Sequence, residues 1–224
     1  MASNVASNVD PYARIRHTFD QRASTDYIFD YWTALGWSLL TFGVFYIFIV
    51  YKLAERSKRH VQRRVAQLHA ANELGWAAAV RAGRDQELYP QFQRTAAGIA
   101  GMQSGANRQL DPVIWAIIVA FAGSIGQIVL FWQLDAALVE HERHERDVEV
   151  ALAEIYSALG APLWAPYGPT KQPHNYVGRT VATVGSFGAY AFWWLYNVEY
   201  EGNAHFATDW QWEAALVEAS GRLR

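Results

Sequence analysis

Cysteine is absent from the 224 residues, which removes disulfides, thiolate metal sites and cysteine nucleophiles. Charge is scarce too: Asp, Glu, Lys and Arg make up 18% of the chain, against a usual share of roughly 25%. A formal net charge of −2 offers no field for nucleic acid, and no nucleic-acid partner is expected. The sequence also lacks a Gly-rich phosphate loop, a nucleophile elbow, a paired-carboxylate arrangement and an H-E-x-x-H helix. No catalytic residue is assigned, and the chain is not expected to be an enzyme. Its polar opening lacks the basic start, apolar centre and small-residue cleavage site of a leader, so residues 1–29 read as a retained polar tail.

What the chain does have is aromatic residues, ten of them Trp, and three runs without charge. The runs cover 31–51, 112–134 and 180–198, between Asp30 and Lys52, Asp111 and Asp135, and Arg179 and Glu199. About 20 apolar residues at roughly 1.5 Å each cross a bilayer core. Trp and Tyr near the ends of each run suit headgroup depth. The expected fold is therefore all-α: an integral membrane protein with transmembrane helices at 30–52, 111–135 and 179–198. The basic residues Lys52, Arg56, Lys58, Arg59, Arg63 and Arg64 then mark the cytoplasmic side, as topology signal or lipid-headgroup contacts. This puts the chain in a bacterial inner membrane, with the N-terminus outside and the C-terminus cytoplasmic; Gly36, Thr41 and Gly43 leave the first span open to a bent or re-entrant path, which would invert the N-terminal side.

Between the runs the periodicity is helical. Residues 53–110 read as a cytoplasmic helical hairpin, ended near Gly83 and restarted at Pro90. Leu134, Leu138, His141, Glu145, Val148, Leu152, Ile155 and Leu159 keep a seven-residue repeat, so 136–160 is a helical extension of the second span with a coiled-coil seam. A Pro-rich loop over 161–178 and a C-terminal amphipathic helix over 199–224 complete the chain, the latter opened by a Thr208/Gln211 capping box.

One cluster looks chemical. In EHERHERD, His141, His144 and Glu145 share a helical stretch, where imidazoles and a carboxylate one turn apart can bind a metal. A charged helix face with Glu–Arg pairs explains the same residues, so no metal ligand is assigned. Inside the runs no residue is ionisable and no His occurs, so no cofactor is expected. Gly123, Gly126, Gln127, Gly185 and Gly188 are read as helix-packing positions.

The stretch LLTFGVFYIFIVYKLAERSKRH, with Leu39, Leu40, Thr41, Gly43, Tyr46, Tyr51, Lys52 and Leu53, and DPVIW at 111–115 resemble a family of small bacterial integral membrane proteins known only as a domain of unknown function. The resemblance spans about 31–140 and implies architecture without mechanism. The expected function is a non-catalytic membrane subunit or scaffold, touching lipids and other subunits or itself through helix packing. The alternative is a homo-oligomeric channel whose pore is lined by neutral polar residues of the second span, Ser124, Gln127 and Gln133.

Overall fold

The computed structural model describes residues 10–168 and 170–224, and among these the chain is helix and loop without strands. The helices are α1 (Pro11–Asp20), α2 (Arg22–Thr25), α3 (Tyr31–Leu40), α4 (Val44–Arg81), α5 (Asp85–Arg108), α6 (Pro112–Ala122), α7 (Ser124–Ala158), α8 (Tyr176–Gly185) and α9 (Ala189–Arg222). Residues 1–9 of the expected polar tail lie outside the described residues, while 10–25 form α1 and α2.

The expected three membrane spans are overturned. Among the described residues no helix is long and apolar enough to cross a membrane. Each uncharged run folds back on itself near its middle, and the expected placement as an integral protein of a bacterial inner membrane, with the N-terminus outside and the C-terminus cytoplasmic, falls with the spans. Thr41, Phe42 and Gly43 turn α3 into α4, with Phe42 at φ 51° and Gly43 at φ 87°. Ser186, Phe187 and Gly188 turn α8 into α9 with almost the same backbone, φ 52° and 92°. In both turns the glycine N–H donates five residues back, Gly43 to Ser38 at 2.7 Å and Gly188 to Thr183 at 2.8 Å. That bond and the positive φ angles are the signature of a helix ended in the left-handed region. Gly123, at φ 54°, makes the third turn, between α6 and α7. There Gly126 lies so close to Ile118 that an added Cβ would sit 2.9 Å from the Ile118 carbonyl oxygen, which shows α7 returning along α6. Gly123 and Gly188 therefore make turns, Gly126 permits the close approach within a hairpin, and a Cβ at Gly185 would meet open space. Gln127 is half-buried on the second hairpin.

Three long helices thus leave three adjacent tips in the same direction. Near the tips, Ile49, Val50, Leu53, Leu130, Phe131, Trp194, Leu195 and Val198 form one apolar cluster with Phe29, Ala34, Trp115 and Val119. Farther along, Leu68, Leu74, Val148, Leu152, Ile155, Trp212 and Leu216 form a second with α5 residues Phe92, Ile99 and Met102. α4, α7 and α9 each run from the first cluster to the second, so they are parallel and their tips share one end.

The hairpin expected at 53–110 is present as α4 and α5, but α4 begins at Val44, inside the first run. It ends before Gly83, whose φ is 66°. α5 starts at Asp85 and carries Pro90 inside it rather than at its first position. The seam on α7 is buried against this chain's own helices: a Cβ on Gly98 of α5 would overlap Val148 Cγ2. The C-terminal segment is the far half of α9, and Thr208 donates to the Ala204 carbonyl at 3.1 Å instead of capping a new helix.

Candidate metal centre

Between the two apolar clusters the three parallel helices bring histidine to a common depth. His60, His141 and His205 lie 16, 17 and 16 residues after the first residues of their helices, Val44, Ser124 and Ala189. One turn further on the same faces stand Arg64, Glu145 and Asp209. The ligand atoms of His60, His141, Glu145, His205 and Asp209 all lie within 4.8 Å of one another, and all five residues are buried.

The imidazoles converge through their Nε2 atoms. His60 Nε2 is 3.2 Å from His141 Nε2 and 3.3 Å from His205 Nε2. Asp209 Oδ2 lies 3.3 Å from His60 Nε2 and 3.2 Å from His205 Nε2. Glu145 Oε2 stands 3.3 Å from His141 Nε2 and 3.6 Å from His205 Nε2. Hydrogen bonding alone does not account for this. A neutral imidazole has one donor and one acceptor nitrogen, so a single Nε2 cannot serve two imidazoles and a carboxylate together. Donors at about 2.0–2.1 Å from a tetrahedral ion stand roughly 3.3–3.4 Å apart. The separations of 3.2 and 3.3 Å come close to that edge length, and the 3.6 Å between Glu145 Oε2 and His205 Nε2 exceeds it.

Two of the three outer ring nitrogens stand beside carboxylates, as in metal-ligating histidines, and the buried Nδ1 of His141 has no partner among the described residues. His60 Nδ1 is 3.0 Å from Asp26 Oδ1, and His205 Nδ1 is 3.4 Å from Glu142 Oε1. Asp26 is fixed in turn by Arg63 at 2.7 Å and by the Trp210 indole N–H at 2.9 Å. Burial would raise the Asp26 pKa, but His60, Arg63 and Trp210 outweigh it and hold the carboxyl well below the usual range. Arg63 also grips Glu213 with both terminal nitrogens, at 2.8 and 2.7 Å. Arg64 is fully buried, bonds Glu145 and Glu149, and stacks 4.7 Å over the Trp212 ring.

Charge around the centre is unbalanced. Five buried carboxylates, Asp26, Glu145, Glu149, Asp209 and Glu213, face the two buried guanidiniums of Arg63 and Arg64. Glu145 is held well below its ordinary pKa because Arg64 and His141 overcome its burial. Asp209 and Glu149 are pushed well above theirs, by burial and then by the charge of Glu145. Burial drives His205 well below its ordinary value. The cluster is thus a nest of oxygen and nitrogen donors with excess negative charge, which a cation relieves.

A cavity of about 420 Å³ reaches this centre from one side, and Glu145, His205 and Asp209 form part of its wall. Lys171, Arg146 and His174 stand elsewhere on that wall. A second acidic group, Asp135, His174 and Glu201, is also compact. The Lys171 ammonium already serves it, 2.8 Å from Asp135 and bonded to Glu201, so it needs no ion.

Of the residues singled out from sequence, His141 and Glu145 enter the centre and His144 does not. The His144 ring lies on the other side of α7, against Gly101 of α5. His60, His205, Asp209 and Asp26 carry no local motif and were missed. Three of the six basic residues read as topology or headgroup signals are interior: Arg63 and Arg64 hold the centre's carboxylates. Arg56 donates to the Tyr27 carbonyl at 3.0 Å and to Asn203 at 2.7 Å. Lys52 and Arg59 pair with Glu55 on their own helix, and Lys58 is half-buried.

Comparison with family models, curated proteins and solved structures gives no match for the chain, so function has to be read from the centre itself.

Proposed function

We propose that this protein is a metalloprotein that holds one divalent transition-metal ion between His60, His141 and His205, with Glu145 and Asp209 as carboxylate ligands, and that it acts on a small polar molecule bound in the adjoining cavity. The observation that carries the reading is the convergence of three buried Nε2 atoms and two carboxylates at ligand-to-ligand spacing. Imidazole with carboxylate and no thiolate suits Zn, Fe(II), Mn or Co(II). Structural zinc sites are closed and usually built with cysteine, whereas a site meant for chemistry keeps a side open to substrate. Here the cavity supplies that side. The ion would act as a Lewis acid on a bound oxygen.

The test is metal analysis of purified protein, before and after chelation and reloading. One equivalent is expected in the wild type. His141→Ala and His205→Ala are expected to lose it, and Co(II) reloading should give d–d bands of low-symmetry nitrogen–oxygen coordination. Folded wild-type protein that takes up no stoichiometric ion from any of the four metals would overturn the reading.

A further inference from the structure

The tip end of the molecule has a chemistry of its own. Phe42 and Phe187 occupy two of the turns and Phe121 lies at the end of α6 beside the third; they are 98%, 100% and 89% exposed. Leu40, Val44, Ile125 and Val184 flank them, all more than 60% exposed. Large contiguous apolar exposure on a folded domain marks a docking surface. Two of the three phenylalanines are also strained. Phe42 and Phe187 sit at positive φ, where a bulky side chain is an outlier and Gly or Asn is the ordinary occupant. The turn itself has no use for Phe there, so the side chain serves what lies beyond it.

We propose that the three tips enter the hydrocarbon of one leaflet of a lipid bilayer and seat the helical bundle on the membrane without crossing it. Length is the first argument. The short arms α3, α6 and α8 have 10, 11 and 10 residues. At about 1.5 Å per residue they reach roughly 15–16 Å, half of a hydrocarbon core of about 30 Å. Charge is the second. No charged residue lies between Asp30 and Lys52, Asp111 and Asp135, or Arg179 and Glu199, so an uncharged layer surrounds every tip; it spans the whole of α3 and α6, and on α8 it begins past Arg179.

Hydrogen bonding is the third argument, and it separates lipid from a second copy of the chain. In hydrocarbon every polar group must be satisfied internally. In the layer, Ser38 donates to the Ala34 carbonyl, Thr41 to Trp37, Thr183 to Arg179 and Ser186 to Thr183, while the Tyr46 hydroxyl, buried inside the bundle, has no partner among the described residues. Thr41 and Ser186 also accept the N–H of Phe45 and Tyr190, capping the return helices. A protein interface of useful size would instead carry roughly one intermolecular hydrogen bond per 100–200 Å² and a polar rim. Trp32 and Trp132, 72% and 38% exposed, lie about an arm's length from the tips, where indoles settle at the headgroup boundary.

The cysteine-free chain makes the test direct. Phe42→Cys, Phe187→Cys and, at the far end, Gln86→Cys are spin-labelled one at a time and mixed with phosphatidylcholine vesicles. The tip labels are expected to gain protection from a water-soluble relaxation agent and exposure to oxygen, at a depth short of the bilayer midplane. The Gln86 label should stay in water. Flotation with the vesicles should persist in about 0.5 M salt, because screening acts on charge and not on apolar contact, and should be lost in Phe42→Asp/Phe121→Asp/Phe187→Asp while metal content is unchanged. Three results overturn the proposal: tip labels that remain water-accessible with vesicles present, labels placed across the midplane, or protection that arises without lipid and tracks a doubling of mass.

Discussion

Replacing Asp209 by Asn changes stability in opposite directions with and without metal, and this follows from the geometry of the centre. Asp209 and Glu145 offer ligand oxygens within 4.8 Å of each other in a buried site. Two like charges at that distance repel by about 3 kcal/mol at an effective dielectric constant near 20. Without metal, the wild-type protein either bears that repulsion or holds a proton on Asp209, whose carboxyl is pushed well above its ordinary value. Asn keeps the shape and drops the charge, so metal-free Asp209→Asn should be more stable than metal-free wild type by about 1–3 kcal/mol. At roughly 2–4 °C per kcal/mol for a chain of this size, Tm rises by about 2–12 °C. Metal reverses the order. An ion at 100 times its Kd stabilises the wild type by about 2.7 kcal/mol, and the variant, short of a charged ligand, gains less. The assay is thermal unfolding of chelated and reloaded protein, wild type beside variant. Equal metal-induced shifts in the two proteins, or no shift in the wild type, would refute the reasoning.

Arg64→Met removes the guanidinium that bonds both Glu145 and Glu149, leaving Glu149 buried without a partner and Glu145 with only His141 and His205 beside it; a loss of about 3–5 kcal/mol in chemical denaturation is expected. Glu199 is buried, its carboxylate oxygens have no hydrogen-bond partner, and burial raises its pKa to about 7 against the pull of Arg56. A raised carboxyl stabilises the fold fully below its ordinary value near 4.5 and loses that stabilisation as pH rises through 7. Glu199→Gln should therefore match wild type at pH 5 and exceed it by about 1–3 kcal/mol at pH 8, read by denaturation at the two pH values. Gly98→Ala sets a methyl against Val148 Cγ2 and 3.2 Å from the His144 carbonyl oxygen, both on α7. An overpacking cost of about 1–3 kcal/mol is expected, with metal content unchanged.

The elements were largely legible in the sequence, and their direction was not. Apolar runs of helical composition predicted helix at 31–51, 112–134 and 180–198, and helix is what forms there apart from the turns. Span and hairpin differ only in the residue at the middle. Gly123 and Gly188 were read as small residues on a helix face, because a glycine in an apolar run permits close packing as readily as positive φ; only Gly43, with Gly36 and Thr41, was read as allowing a bend. The repeated pattern of hydroxyl, Phe and Gly at 41–43 and 186–188 was the available signal, since Phe between a capping hydroxyl and a glycine is poor helix-face material. The basic stretch after the first run misled for a related reason. Arg63 and Arg64 follow an apolar segment as a membrane boundary would, but they lie on the inner face of α4, where the carboxylates of α7 and α9 await them.

The metal centre was invisible as a motif because it has none: its histidines come from three helices, separated by 81 and 64 positions. What fixes them is a register measured from the turns. Once each run is known to reverse at its glycine, the three following helices start level, and a residue 16 or 17 positions on lies at the same height in each. Histidine occupies that height three times, and the next turn carries Glu145 and Asp209 on two of the helices. On α4 the equivalent position is Arg64, so the third acid is replaced by the group that neutralises Glu145 and Glu149. A third carboxylate there would have raised the charge of an already anionic nest. Arg64 leaves the centre with enough negative charge to attract a divalent ion and enough compensation to fold before one arrives.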